Sequence, residues 1–240
     1  MSTEADAALL DGELVVEGRL VDASNATLYA RVSLGDQQIA VIYKPVRGER
    51  PLWDFPDGTL AQREFASFLV DRALGWELIP PTTLRDGPFG PGMVQTWVDV
   101  DENVDPVALV RSRHGDLRRI AVLDAVINNA DRKGGHLLPL ASGSVMAIDH
   151  GVTFHSDDKL RTLLWQWEGE PLTPECITAL ESLEMALGSR RAPGRLGVTL
   201  DTLLTASEVR ATRRRVRRLL ETGVHPSPSP DWPSVPWPPF

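Results

Sequence analysis

Along the first hundred residues, polar and apolar positions alternate in short runs. Residues 13–21 (ELVVEGRLV) and 27–34 (TLYARVSL) are β-favouring and are separated by the turn formers Asp22-Ala23-Ser24-Asn25-Ala26. A third run, 38–43, is entered through Gly35-Asp36 and ends on Lys44, where Pro45 stops ladder pairing. The pattern predicts an antiparallel meander. The period then changes. Ala61, Phe65, Phe68, Leu69 and Ala73 recur at helical spacing, Thr59-Leu60-Ala61-Gln62 has the form of a capping box, and Gly75 is placed to end the helix. Glu64 lies beside this stripe, which is expected to be the buried face. Residues 78–84 lead into a tight turn at 86–92, and 93–98 (MVQTWV) reads as the last strand of this half.

The polar stretch Asp99-Val100-Asp101-Glu102-Asn103 makes a boundary, and beyond it the pattern is helical. Leu117, Ile120, Ala121, Leu123, Val126 and Ile127 form a dense apolar run. It delivers Asn129 and Asp131-Arg132 into a glycine-loosened loop, Lys133-Gly134-Gly135-His136. A hairpin is expected next, 137–140 and 145–148 around Ala141-Ser142-Gly143-Ser144, ending on Asp149. Thr173-Pro174-Glu175 opens one helix, and the capping box Thr205-Ala206-Ser207-Glu208 opens another that carries six arginines and stops at Gly223. From His225 to Phe240 there are seven prolines, which predicts an extended or disordered segment. The expected organisation is an α+β chain with a strand-rich lobe over 1–98, a mainly helical lobe over 99–223 and a Pro-rich disordered tail over 224–240.

Bulk properties narrow the classes of function. A chain of 240 residues that is 42% hydrophobic can bury a proper core in one or two domains. A net charge of -8 opposes nonspecific binding to nucleic acid. The arginines at 210–218 keep peripheral contact with an anionic surface open, although Glu208 and Glu221 flank them. Cys176 is the one cysteine, so no internal disulfide forms. The acidic N-terminus lacks a basic n-region, and no run approaches the roughly 20 apolar residues of a membrane span. These features lead to the expectation of a cytoplasmic protein without a transmembrane segment.

Asp131 and Asp149 stand at the two ends of one short hairpin, so they can face the same small volume. One carboxylate can then orient a hydroxyl while the other holds a divalent metal on a nucleotide phosphate. Lys44 at a strand end could neutralise phosphate, with Glu64 on the next helix holding it in place. Each residue alone has a plainer reading: an edge-strand lysine, a solvated glutamate, a common Asp-Arg and an Asp-x-Gly turn. Their order and setting together favour the site. A rival arrangement groups His136, Asp149, His150 and His155 as a transition-metal cluster for hydrolysis, but it matches no strong zinc spacing and leaves Lys44 and Glu64 idle.

The motifs Asp124-(x4)-Asn129-x-Asp131-Arg132 and Ala147-Ile148-Asp149-His150-Gly151-(x2)-Phe154 resemble the catalytic and metal-binding segments of phosphatidylinositol 3-/4-kinase-like enzymes. The resemblance is to type II phosphatidylinositol 4-kinases and compact actinobacterial relatives. It implies a bilobal, protein-kinase-like fold with ATP in the cleft and Mg²⁺ (or Mn²⁺) as cofactor. By this likeness Asp131 is the catalytic aspartate, with Arg132 in the same motif. Asp149 is the metal ligand, Lys44 the phosphate-binding lysine, Glu64 its helix partner, and Asn129 a brace of the catalytic loop. Gln95, Thr96, Trp97 and Val98 fall at the interlobe hinge, where backbone would meet adenine. The loop that would cover the phosphates, 22–27, has no glycine, so contact there needs Ser24, Asn25 or Thr27.

The chain also departs from the family. Five residues after the catalytic aspartate the family has asparagine as second metal ligand, and this chain has His136, a poor match for oxygen-seeking Mg²⁺. His136 is thus an altered ligand, a proton carrier or a mark of lost catalysis, and Asn129 is the candidate substitute ligand. Two readings stand. The first is an ATP- and Mg²⁺-dependent phosphotransferase acting on a hydroxyl acceptor, whether lipid headgroup, inositol-like small molecule or protein Ser/Thr. The second is an ATP-binding pseudokinase acting as a regulatory interaction module.

Overall fold

The structure, a computed structural model, describes residues 4–20 and 26–240. Five antiparallel strands form one sheet: β1 (Glu13–Arg19), β2 (Leu28–Leu34), β3 (Gln37–Pro45), β4 (Thr82–Gly87) and β5 (Gly90–Thr96), in the order β1-β2-β3-β5-β4. The meander is as the alternation predicts. Strand β4, expected only as the approach to a turn, pairs with β5 from Thr82↔Gln95 to Gly87↔Gly90. An unanticipated N-terminal helix, α1 (Glu4–Asp11), covers one face of the sheet. Its Leu9 joins Leu14, Ala30, Val32, Val41, Tyr43 and Val94 in a compact cluster. Arg85 fastens α1 in place by donating to the carbonyls of Leu9 and Gly12. Because Val41 and Tyr43 point into that cluster, strand alternation sends Lys44 to the opposite face, the one that looks into the cleft.

Helix α2 (Leu60–Leu74) ends at Gly75, which takes the left-handed conformation (φ 71°). Its N-terminus is not closed by a Thr59 capping box: the Thr59 hydroxyl donates to the Pro56 carbonyl instead. The Glu49 carboxylate, brought round by the preceding loop, accepts from the N–H groups of Leu60 and Ala61 at 3.1 and 2.8 Å. The buried face also differs from the expected stripe. Ala61 is buried, but Phe65, Phe68 and Leu69 are only partly covered, while Arg63, Glu64, Ser67 and Asp71 lie inside with Ala66, Val70 and Leu74. The polar side is buried because every one of these groups has a partner there, as a buried charge requires.

The helical half holds α3 (Pro106–Arg111), α4 (Gly115–Ile127), the hairpin β6 (Leu137–Pro139) with β7 (Val145–Ala147), α5 (Pro174–Leu187), α6 (Arg195–Leu203) and α7 (Ala206–Thr222). Helix α4 is apolar nearly all round and runs through the centre of the core. Thr173 caps α5, and the predicted capping box at Thr205 and Glu208 opens α7. Ala66, Val70 and Leu74 of α2 belong to the same buried cluster as Leu117, Ile120 and Leu180, so α2 is built into the helical core as well as into the sheet lobe. Three of the six arginines of α7 are committed to partners within the fold. Arg213 donates to the Leu187 carbonyl, Arg215 to those of Val126 and His155, and Arg217 pairs with Glu184. No helix among the described residues is long and apolar enough to cross a membrane.

The C-terminal segment was expected to be extended or disordered, and it has no helix or strand over 226–240. Residues 225–240 lie against the helical half, where His225 is buried and exchanges backbone hydrogen bonds with Gly169 and Glu170. Ser234 and Pro239 also offer their carbonyls to the core. Proline composition predicted an extended or disordered segment because it forbids ladders of its own. Here the carbonyls find donors on other segments.

Candidate active site

Lys44 stands on the cleft face of β3, paired across the sheet with Met93. Its Nζ lies 2.6 Å from Glu64 Oε1 and 3.0 Å from Asp149 Oδ1. Burial works against the lysine charge, but Asp149 and Glu64 outweigh it and hold the ammonium protonated. The same ammonium keeps the Asp149 carboxyl well below the usual carboxylate range, against the effect of burial. Burial pushes Glu64 upward, and the lysine opposes it. Glu64 is buried because α2 is, and its second oxygen accepts the His150 N–H at 2.8 Å. One glutamate therefore ties the lysine, the helix and the loop after β7 together. Asp149 itself sits at φ 59°, in the left-handed region that non-glycine residues seldom enter.

The loop after α4 is held from inside. Asn128 caps α4 in the left-handed conformation (φ 53°); its amide donates to the carbonyls of His155 and Asp157, and its oxygen accepts from Lys159 N–H. Asn129 is spent on the same loop: Nδ2 donates to Asp124 at 3.0 Å, and Oδ1 accepts the Asp131 N–H at 3.0 Å. It is a brace, as the resemblance implies, and it does not line the cavity around Asp149; the expectation of a substitute metal ligand is corrected. Arg132 is corrected likewise. It is fully buried, forks onto Asp124, and donates to the Ile148 carbonyl and to His150 Nε2. A side chain so enclosed positions the loop and cannot touch a substrate.

Asp131 remains at the surface of this scaffold and lines one cavity with Lys44, Glu64 and Asp149. Burial raises its pKa, and Lys133, 3.4 Å away, pulls it back. Lys133 escaped the sequence reading; its place two residues after Asp131 in a tight loop was the available signal. His136 Nε2 lies 3.3 Å from Asp149 Oδ2. Its Nδ1 accepts the Lys133 N–H at 3.4 Å, which leaves the proton of the neutral ring on Nε2. Burial pushes its pKa down to about 4. His136 thus presents a donor to Asp149, not a lone pair to a cation. The rival histidine cluster does not assemble. His150 faces Arg132, His155 packs its ring on Phe55, and no group of three or more His, Cys, Asp or Glu among the described residues is arranged around a metal.

The four expected hinge residues lie at the end of β5 and just beyond it. Gln95 is buried and donates to Thr82, and the N–H groups of Thr96 and Trp97 are already given to Pro81 and Ala40. Trp97 packs edge-on against Tyr29. Of the four hinge residues, Val98 is the one after these pairings end. Ser24 and Asn25 lie outside the described residues, and Thr27 is buried beside β2. The cavity between the acids measures about 50 Å³, room for one or two waters. A larger cavity, about 880 Å³, lies elsewhere, between α7 and the C-terminal segment, and is lined by none of these groups.

A five-stranded antiparallel lobe over a helical lobe, with the lysine–glutamate pair above and two aspartates below, defines a bilobal kinase-like fold. The crystal structure of the Helicobacter pylori proinflammatory kinase CtkA superposes with a TM-score of 0.53, covering 90% of this chain and 94% of that one at 11% sequence identity. Protein Rv2133c of Mycobacterium tuberculosis is 43% identical, the alignment covering 98% of this chain and 95% of that protein, and the chain belongs to the same family. Phosphatidylinositol 4-kinase gamma 4 of Oryza sativa subsp. japonica is 24% identical over 68% of this chain, which matches 36% of the plant protein. No family model matches the chain.

Proposed function

We propose that the protein is an ATP- and Mg²⁺-dependent phosphotransferase of the phosphoinositide-kinase-like type, acting on a hydroxyl acceptor. The observation that carries this reading is the Lys44–Glu64–Asp149 cluster with Asp131 in the same cavity. Lys44 is the group that meets phosphate oxygens: it is held charged, and its carboxylate partner Asp149 is the one a cation would take over. Asp149 fits a divalent cation, since it offers ionised oxygens with its side chain 43% exposed, and Mg²⁺ is commonly held by one or two carboxylates plus substrate phosphates. Such an ion, when bound at Asp149, would supply neutralisation of the negative charge on the nucleotide phosphates. Asp131 takes the acceptor hydroxyl proton as the oxygen–phosphorus bond forms and the bond to ADP breaks; burial raises its affinity for that proton. Lys133 keeps the Asp131 carboxylate oriented between turnovers.

The cavity as folded is too small for a nucleotide, so binding requires the sheet lobe to lift from the loop that carries Asp149. The pseudokinase reading draws on His136, whose Nε2–H faces Asp149 where the resemblance implies an oxygen. Thermal-shift titration with ATP and Mg²⁺, run beside ADP release, separates the two. Turnover that disappears in Asp131→Asn while nucleotide binding persists supports transfer; binding without turnover supports the pseudokinase, and no nucleotide binding sinks both.

A further inference from the structure

The C-terminal segment is laid along the outside of the Asp131 loop. The loop and the segment after Asp149 are first stitched to each other: Arg161 N–H donates to the Asn129 carbonyl, Arg161 Nε donates to that of Ala130, and Arg132 N–H donates to that of Arg161. The tail then adds itself to this pair at two anchors. Ser234 gives one carbonyl to both the Thr162 N–H (3.0 Å) and the Trp165 indole (2.9 Å). Five residues on, the Pro239 carbonyl accepts the Gly134 N–H at 2.8 Å. Phe240 packs its ring on Gly134, where even one added carbon, a Cβ, would overlap it. Trp232 meanwhile stacks over Lys159 Nζ and the Arg161 guanidinium. Both anchors lie close to Asp131: Gly134 is three residues after it in the chain, and Thr162 is the bridge partner of its neighbour Arg132.

We propose that residues 226–240 occupy, in cis, the groove at which the acceptor docks, so that the tail restrains the site, and that the acceptor is itself an extended polypeptide. This rests on the phosphotransferase reading above. The chemistry of the groove selects a polypeptide. Its donors are main-chain N–H groups and an indole, and all of them take main-chain carbonyls. A proline-rich chain presents such carbonyls freely because it has few N–H groups to satisfy among its own residues. A phosphorylated headgroup would call instead for a cluster of free cations, whereas Lys159, Lys133 and Arg161 are already engaged by Asp54, Asp131 and the Ala130 carbonyl.

Two substitutions in the 240-residue chain test this. Phe240→Gly removes the ring, and Gly134→Ala fills the space it occupies; Gly134 carries no positive φ, so alanine is accommodated by the backbone. Amide exchange at Gly134 and Thr162 is followed beside phosphate transfer from ATP to a serine/threonine peptide array and to phosphatidylinositol vesicles. Both variants are expected to speed exchange at these amides and to raise transfer to peptides about threefold or more, the scale on which one lost hydrogen bond or ring contact shifts a local equilibrium. A synthetic peptide of residues 226–240 should return Phe240→Gly to the parent rate and leave Gly134→Ala unaffected, since its site is filled. Faster exchange with unchanged or lower transfer overturns the restraining role, and a gain confined to vesicles overturns the polypeptide acceptor. Unchanged exchange overturns the docking itself. ATP turnover absent from parent and variants alike, with exchange changed as expected, overturns the phosphotransferase reading and the restraint that rests on it.

Discussion

Lys44 is the side chain on which the candidate site converges, and its surroundings set what its loss does. With carboxylates at 2.6 and 3.0 Å, removing the ammonium leaves Glu64 buried and facing Asp149. Lys44→Met is expected to cost about 3 kcal/mol in urea unfolding, the scale for a buried pair that loses one partner. It should also abolish nucleotide-dependent thermal shift. Arg132→Lys tests the corrected role of its neighbour: a lysine cannot fork onto Asp124 while reaching Ile148 and His150, so about 2–4 kcal/mol should be lost. His136→Asn replaces a ring N–H with an amide oxygen beside Asp149. It should tighten Mg²⁺-dependent ATP binding in calorimetric titration; weaker binding would make the imidazole itself a ligand. At this scale the sequence was most informative about which residues matter and least about how. That Asp131, Asp149, Lys44 and Glu64 share one cavity was expected from their order, their setting and the family resemblance. Arg132 as a catalytic group and Asn129 as a substitute metal ligand were misassigned, because a one-dimensional motif does not record which way a side chain faces or how deeply it lies.

Among the elements, α2 decides the geometry of the site. Arg63, on its buried side, donates to the Thr153 carbonyl at 2.6 Å and to Glu208 at 2.7 Å, with the Phe55 ring over its guanidinium. The helix that carries Glu64 is thereby bolted to the loop after Asp149 and to the first turn of α7, where Glu208 also serves the Thr205 capping box. Glu208→Ala should destabilise by about 3 kcal/mol by orphaning a buried guanidinium and should weaken ATP binding through α2. Glu49→Ala, which removes only the borrowed N-cap, should cost about 1 kcal/mol. Measuring both by chemical unfolding separates positioning from capping. Helical periodicity placed α2 correctly and its buried face wrongly. Apolar counting assumes that charge lies outside, and the ion-pair partners that bring Arg63 and Glu64 inside come from 145 and 20 residues away in the chain.

For the whole molecule, acid is the informative perturbation. His225, at the start of the C-terminal segment, is buried between Trp167 and Arg118 with Glu170 and Arg113 nearby, and burial pushes its pKa down from 6.5 to about 4. The unfolded chain therefore takes up a proton first, and the stability His225 contributes above pH 6.5 is lost progressively as pH falls to about 4. Asp71 and Asp131, raised by burial, act in the opposite sense as the medium becomes acidic, so the comparison must be made against a matched variant. His225→Gln keeps an acceptor for Arg118 but does not titrate; its Tm should fall less between pH 7 and pH 4.5 than that of the parent. Equal slopes would remove His225 from the account.

The sequence by itself determined the local elements and the order of the chemical groups: a β meander ending in lysine, a helix stopped by Gly75, capped helices at Thr173 and Thr205, and two aspartates joined by a hairpin. These are set by neighbours within a few residues, where dihedral preference and spacing act directly. Only the tertiary structure decided which charges are buried, that α2 belongs to the helical core, that Arg132 braces the loop from inside, and that a proline-rich segment lies against the loop carrying Asp131. Each of those depends on partners beyond the immediate neighbours in the chain, and burial of a charge or of a free carbonyl is stable only when those partners arrive.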